Sequence, residues 1–311
     1  MRATGARTPP SPRDPTLVKR FPPNDNGVLV SMRDRRSAAL GVCLYTASSP
    51  RALAIQRAAY WAVRAAGARV LPGSSSPLDL PGDDATWSEL LEQWRSAIGR
   101  VEHVAVYRRR QRHRVGLTMV GLGAGRPLAV LKVRDEPAGL EREQQALAVL
   151  ADRSPSTFSA PRPLGLGHAG DWWWSAQQCV FERPHTPVLR APEGLFEEVG
   201  ALLEPLTVPL EPPGPGEAPA HHDLTPWNLR RDHRGRVWLF DWEDWRTAPA
   251  GADQTYFAAC SRAVRGTPLP GPLAPAAVAH YRPVVEERMR QAEPGDVLDA
   301  AILAAFDESA R

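Results

Sequence analysis

The sequence predicts an α+β fold of two lobes, and three features of its 311 residues carry that prediction. Short segments with strand-like alternation crowd into residues 101–183. A helical, proline-rich texture takes over from Pro184. Two strongly helical stretches precede both. The expected division is a flexible tail over 1–36, an N-terminal helical extension over 37–100, a small antiparallel-sheet lobe over 101–183 and a mainly helical lobe over 184–311.

The tail is expected because residues 1 to 36 are rich in Arg, Pro and small polar residues, with no sustained period and little apolar surface to order them. From Ser49 to Ala66, Leu53, Ile55, Ala59, Tyr60 and Val63 recur at helical spacing. A second helix is predicted from Asp84 to Ile98, with Trp87, Leu90, Leu91 and Trp94 to one side and LPGSSSPLDLPGDD as the loop before it. Then the period shortens. Val104–Arg109, Val115–Leu122 and Leu128–Val133 read as three successive antiparallel strands, joined by RQRHR and by GAGRP. A helix is expected from Pro137, well placed near a first turn, to Ala151, followed by strands at Trp172–Trp174 and Gln178–Glu182. Beyond Pro184 the pattern gives a helix over Glu193–Leu206, a loop over VPLEPPGPGEAP, one strand ending at Asp241 and broken helices from Asp253 onward.

Composition narrows the function classes. With 38 basic against 35 acidic residues, a net charge of +3 points to neither nucleic acid nor a membrane surface as partner. Cys43, Cys179 and Cys260 are widely spaced and odd in number, which argues against a disulfide framework or a zinc site and fits a cytoplasmic protein. No stretch approaches the roughly eighteen apolar residues of a membrane span. Lysine is exceptional in this arginine-rich chain, occurring only as Lys19 and Lys132. Lys132 lies in the apolar run PLAVLKV, where an ammonium group needs an anionic partner.

The segment AHHDLTPWNLRRDHRGRVWLFDWED carries the chemistry. It places Asp223, Asn228 and Asp241 in one stretch, the last at the end of the apolar strand VWLF. Phosphoryl transfer uses these side-chain types: one carboxylate orients or accepts the proton of an attacking hydroxyl, while a carboxylate and an amide oxygen hold Mg2+. Asp223 is therefore the candidate base, and Asn228 and Asp241 are the candidate metal ligands. The plain alternative is a polar loop in which Asp223 and Asn228 cap turns. A zinc reading of His221, His222 and Asp223 fails, since adjacent side chains diverge and no further ligand stands at the required spacing.

The pattern H-x-D-x-x-x-x-N, followed by a strand ending in Asp, resembles the catalytic and metal motifs of the aminoglycoside phosphotransferase and choline kinase superfamily. His221, Asp223, Asn228 and Asp241 match it, whereas His222 stands where a glycine is usual. The resemblance implies a bilobal protein-kinase-like fold that uses ATP and Mg2+, with a lysine on the third strand and a glutamate on the next helix. In PLAVLKV, alternation puts Leu128, Val130 and Lys132 on one face, with Val130 nearer the adenine. On the following helix Glu143 falls within the apolar stripe of Leu140, Leu147 and Leu150, so it is the expected partner of Lys132; a boundary glutamate exposed to water is the alternative.

By the same resemblance Gln178–Glu182 is the hinge beside the adenine, with Val180 and Glu182 as neighbours of the base, or else an ordinary edge strand. His221 is expected to brace the catalytic loop, and Asp253 to prop it. The family often lacks a glycine-rich loop at the first hairpin, and the RRRQRHR tip at 108–114 reads as a solvated turn or, alternatively, as a contact to phosphate. GLGAG at 121–125 precedes Pro127 and a strand, so it reads as a hairpin turn, and no P-loop motif is present.

The expected function is transfer of the γ-phosphate of ATP to a hydroxyl of a small molecule such as a sugar or an amino alcohol. Only a short span separates hinge and catalytic loop, which places aminoglycoside inactivation second. A catalytically silent nucleotide- or partner-binding scaffold is the alternative of a different class. The helical extension could shape the acceptor pocket or a contact between subunits.

Overall fold

A computed structural model describes residues 17–23, 27–78, 80, 82–108, 116–123, 125–207, 213–291 and 297–309. The first half comprises β1 (Leu17–Phe21), β2 (Val28–Ser31), α1 (Arg35–Cys43), α2 (Pro50–Ala66), β3 (Ser75–Pro77), α3 (Asp84–Ile98), β4 (His103–Arg108), β5 (Gly116–Gly123), β6 (Arg126–Arg134), α4 (Ala138–Arg153), β7 (Pro163–Ala169) and β8 (Trp172–Gln178). The second half comprises β9 (Thr186–Pro187), α5 (Leu195–Thr207), β10 (Glu217–Ala220), β11 (Leu229–Arg231), β12 (Val237–Leu239), β13 (Arg246–Pro249), α6 (Ala252–Arg265), α7 (Pro275–Gln291) and α8 (Leu298–Glu308).

The architecture is α+β, with a sheet-rich first half and a mainly helical second half. One antiparallel sheet of eight strands, in the order β3-β1-β2-β4-β5-β6-β8-β7, forms the first lobe. Local chemistry sets its helices. Ser49 caps α2 by accepting the Ala52 N–H, Pro50 opens the helix, and Gly67 ends it at φ 83°. Asp83 caps α3 in the same way through the Thr86 N–H. Of the two faces of β6, the first carries Ala129, Leu131 and Val133, which pack with Trp87, Leu90 and Trp94 of α3. The second carries Val130, Lys132 and Arg134. In the other lobe the rings of Tyr256 on α6 and Tyr281 on α7 stack 4.3 Å apart in a core shared with Phe306 of α8. Among the described residues no helix is long and apolar enough to cross a membrane.

Several expectations are corrected. The tail over 1–36 does not extend to Ser31: residues 1–16 lie outside the described residues, but β1 and β2 follow and pair antiparallel, with Val18, Phe21, Val28 and Val30 buried. Strands of five and four residues flanking Pro22 and Pro23 are too short for their period to stand out from the surrounding Arg and Pro. The extension over 37–100 is not purely helical either. Together with β1 and β2 it adds strand β3 to the same sheet, and α1 was not anticipated.

Gln178–Glu182 is not a strand. β8 ends at Gln178, opposite Ala129, and beyond that point β6 offers Pro127, which has no N–H to donate. Ahead of it β7 went unrecognised, its two glycines thinning the alternation. The end of the expected loop VPLEPPGPGEAP is strand β10, paired with β13, while 208–212 lie outside the described residues. Outside them too lies the hairpin tip 109–114. The turn at GLGAG joins β5 to β6 as expected.

Candidate active site

The candidate catalytic loop leaves β10 at Ala220 and enters β11 at Leu229. Its first residue, His221, is fully buried, and its ring lies 4.5 Å from that of Trp242. Burial holds this imidazole down to about pH 4, hence neutral. Its Nε2 is 3.0 Å from the Phe240 carbonyl, and its Nδ1 accepts the Asp223 N–H at 3.3 Å. These two bonds fix one tautomer, protonated on Nε2. His222 adopts φ 68°, a left-handed conformation that glycine takes without strain and that a histidine adopts only at a cost in backbone energy.

Asp253, in the first turn of α6, accepts both N–H groups at this bend, from His221 at 2.7 Å and from His222 at 2.9 Å. Burial pushes its carboxyl up to about 6 despite those two donors. The bend is thereby tied to α6.

Asp223 keeps a partly exposed edge, and Asn228 donates to its Oδ2 at 2.8 Å and to its backbone carbonyl at 2.9 Å. With the amide nitrogen used in this way, the amide oxygen points elsewhere and can serve as a ligand. Burial, with Asp241 and Asp244 as neighbouring negative charges, pushes the Asp223 carboxyl up to about 8, against the opposing pull of Arg288 and Asn228. Asp241 follows β12 in a left-handed conformation, φ 65°, which turns its side chain back toward the sheet lobe.

Across the cleft, Lys132 binds three carboxylates: Glu143 at 2.7 Å, Asp241 at 2.7 Å and Glu243 at 2.9 Å. Burial works against its charge, but Asp241, Glu143 and Glu243 outweigh it and keep the ammonium charged well above its ordinary range. Glu143 is wholly buried on α4, and burial raises its carboxyl against the pull of Lys132. Arg134, two residues along the same face of β6, pairs with Glu243 at 2.8 Å. The site thus joins β6, α4 and the segment after β12 in one ionic network, with Asp241 as the member most open to solvent, at 36% side-chain exposure.

Lys132, Glu143, Asp223, Asn228, Asp241, His221 and Asp253 thus come together from widely separated parts of the sequence. Val130 is buried against α1 and α2 in a core with Val120, Leu40 and Tyr60, and Val180 lies in the link after β8. Glu243 was missed, although Arg134, two residues after Lys132 on the same face, signalled that a second buried cation would need an acid. Tyr60 was read only as a helix-face residue, yet its hydroxyl donates to the Glu182 carbonyl at 2.9 Å.

No protein-family model and no curated protein matches the chain. Solved structures it is similar to include aminoglycoside phosphotransferases and an amicoumacin kinase. One is an aminoglycoside phosphotransferase, APH(4)-Ia, in complex with ADP and hygromycin B, at a TM-score of 0.38 and 12% identity over 71% of this chain and 94% of that chain. A second is the amicoumacin kinase hAmiN with AMP-PNP, Ca2+ and amicoumacin, at 0.34 and 10% over 72% of this chain and 78% of that one. WbdD is a third, at 0.34 and 17% over 68% and 46%.

The residues present fit the phosphate end of a nucleotide and its cation. Among the described residues no three His, Cys, Asp or Glu side chains converge as a metal cage. A carboxylate and an amide suit Mg2+, which keeps several waters and shares its remaining positions with phosphate oxygens.

Proposed function

We propose that this protein is an ATP-dependent phosphotransferase that moves the γ-phosphate to a hydroxyl of a small molecule. The observation that carries the reading is the meeting of Lys132, Glu143 and Asp241 across the cleft, beside Asp223 and Asn228. A buried lysine held by three acids is costly to build for stability alone, since apolar side chains of similar volume often serve as well. Such a network is explained by a polyanion that the lysine must meet.

In this reading Lys132, held by Glu143, is a fixed positive charge for the phosphates. Asn228 and Asp241 are the ligands that would hold Mg2+, which when bound neutralises charge along the phosphate chain. Asp223 receives or orients the proton of the acceptor hydroxyl. A carboxyl pushed toward neutrality is a stronger base than an ordinary aspartate, and a nearby cation would restore its ionised form. His221 and Asp253 position the loop without touching substrate.

The acceptor is a hydroxylated small molecule; a sugar or an amino alcohol suits a cleft whose acids Asp223, Asp241 and Asp244 can accept hydroxyl or ammonium hydrogen bonds. An ATP-consumption screen over hydroxylated metabolites and antibiotics, with Mg2+, tests the reading. At least one compound is expected to drive ATP turnover, and Asp223→Ala to slow it by roughly 10² to 10⁴. Full turnover by that variant on the same compound would remove Asp223 from the chemistry.

A further inference from the structure

The phosphate side of the cleft is formed and partly open, but its other side is filled by the chain itself. A base attached to phosphates at Lys132 has to lie along the same face of the sheet, toward the link between the lobes. The next residue on that face, Val130, stands roughly 7 Å away along β6, and Val120 of β5 is its cross-strand partner. Both are buried in one apolar core with Leu40 and Cys43 of α1 and Tyr60 of α2, and α1 packs directly on β5 and β6.

The contact is close and specific. A Cβ placed on Gly41 would stand 2.8 Å from the Ala105 side chain, so α1 lies against β4 at a distance that only glycine permits. Gln56 of α2 donates to the Val42 and Tyr45 carbonyls, which locks the two helices into one unit. The segment after α1 is fastened to the other lobe, since the buried Arg230 donates to the Ala47 carbonyl at 3.0 Å and to the His185 carbonyl at 2.6 Å.

In the link that follows β8, the Glu182 carbonyl accepts the Tyr60 hydroxyl at 2.9 Å. A backbone acceptor at the edge of an apolar slot is what an exocyclic base amine would use, and here a side chain of α2 already uses it. Beside this bond lies a notch of about 270 Å3, bounded by Leu40, Trp61, Arg64, Pro127 and Arg183.

We propose that α1 and α2 are a built-in plug of the base side of the cleft: the chain as folded accepts the phosphate end of a donor, and a nucleotide enters only as the Tyr60–Glu182 contact opens and the helix pair withdraws. This rests on the phosphotransferase reading of the Lys132 site. The apparent affinity for ATP is then the intrinsic affinity reduced by the small fraction of open molecules. A compound with phosphates and no base escapes that reduction.

The test is calorimetric titration of the full chain and of Tyr60→Phe with Mg-ATP and with Mg-tripolyphosphate, alongside hydrogen exchange of residues 35–66. Phenylalanine keeps the ring in its core and removes only the hydrogen bond, and thermal unfolding verifies that the variant is folded. The expected result is a gain of about five-fold in affinity for Mg-ATP, the worth of one ordinary hydrogen bond, with no change for Mg-tripolyphosphate. Exchange in α1 and α2 is expected to quicken on adding Mg-ATP and to stay constant on adding Mg-tripolyphosphate. If Mg-ATP binds both proteins alike and leaves exchange in α1 and α2 unchanged, the plug is refuted while the phosphate site stands. If neither compound binds either protein, the plug and the phosphate site fall together.

Discussion

Lys132 is the residue on which the most charge depends, because Glu143, Asp241 and Glu243 all lie within 2.9 Å of its ammonium group. Lys132→Met is expected to lower stability by roughly 3 to 5 kcal/mol, since it leaves buried acids without a counter-charge. Glu143→Gln keeps the shape of the pair and should cost less; chemical unfolding of the two variants checks the order. His185 makes a separate prediction. Burial, followed by the Arg230 charge, holds it down to about 4 from an ordinary 6.5, so the fold prefers the neutral ring. The stability this gives is fully present above about pH 6.5 and is lost as pH falls toward 4, with an upper bound of roughly 3 kcal/mol. His185→Phe should flatten that acid limb, while His221 and His222, depressed to about 4 and 3 by burial, retain their share of it. Stability measured at several pH values between 4 and 7 reads the difference. At this scale the sequence was informative where a pattern forced a partner: alternation pointed Lys132 inward and the apolar stripe pointed Glu143 inward, so their pairing could be read. The Tyr60 bond could not, because a hydroxyl at a helix face gives no sign of a carbonyl 122 residues away.

Among the elements, the loop from His221 to Asn228 owes its shape to α6. Asp253 takes two backbone N–H groups that would otherwise be buried without acceptors, and each such loss costs about 1 to 3 kcal/mol. Asp253→Ala is therefore expected to lower phosphotransfer by roughly 10 to 100-fold while Lys132 keeps its partners; hydrogen exchange at the His221 and His222 amides should rise with it. Arg230→Met tests the strap between the lobes, where a loss of about 1 to 3 kcal/mol is expected in thermal unfolding as the Ala47 and His185 carbonyls lose their donor. Helices α2 and α3 and strands β4 to β6 were legible in outline because each is long, periodic and bounded by capping residues or turns. β1, β2 and β10 are four or five residues long and flanked or filled by proline, so their pairing exists only in three dimensions.

For the whole molecule, the change of period at Pro184 pointed to a sheet-rich half followed by a mainly helical one, but gave no sign of the size of the sheet. Three strands from before residue 80 extend what the sequence showed as a compact core of strands, and the helices that accompany them lie over the face that carries Lys132. Covering that face is a property of the assembled lobes and leaves no local trace. In the proposed function, two lobes meet to clamp a polyphosphate and its divalent cation. Thermal unfolding of the wild-type chain and of Asp241→Asn, each with saturating ATP in the presence and absence of Mg2+, tests that claim most directly. The predicted result is a stabilisation of the wild type that requires Mg2+, about 2.7 kcal/mol at a hundred-fold excess over the dissociation constant, and its loss in the variant. A wild type whose unfolding is unmoved by millimolar ATP with Mg2+, or is moved equally in Asp241→Asn, would contradict it.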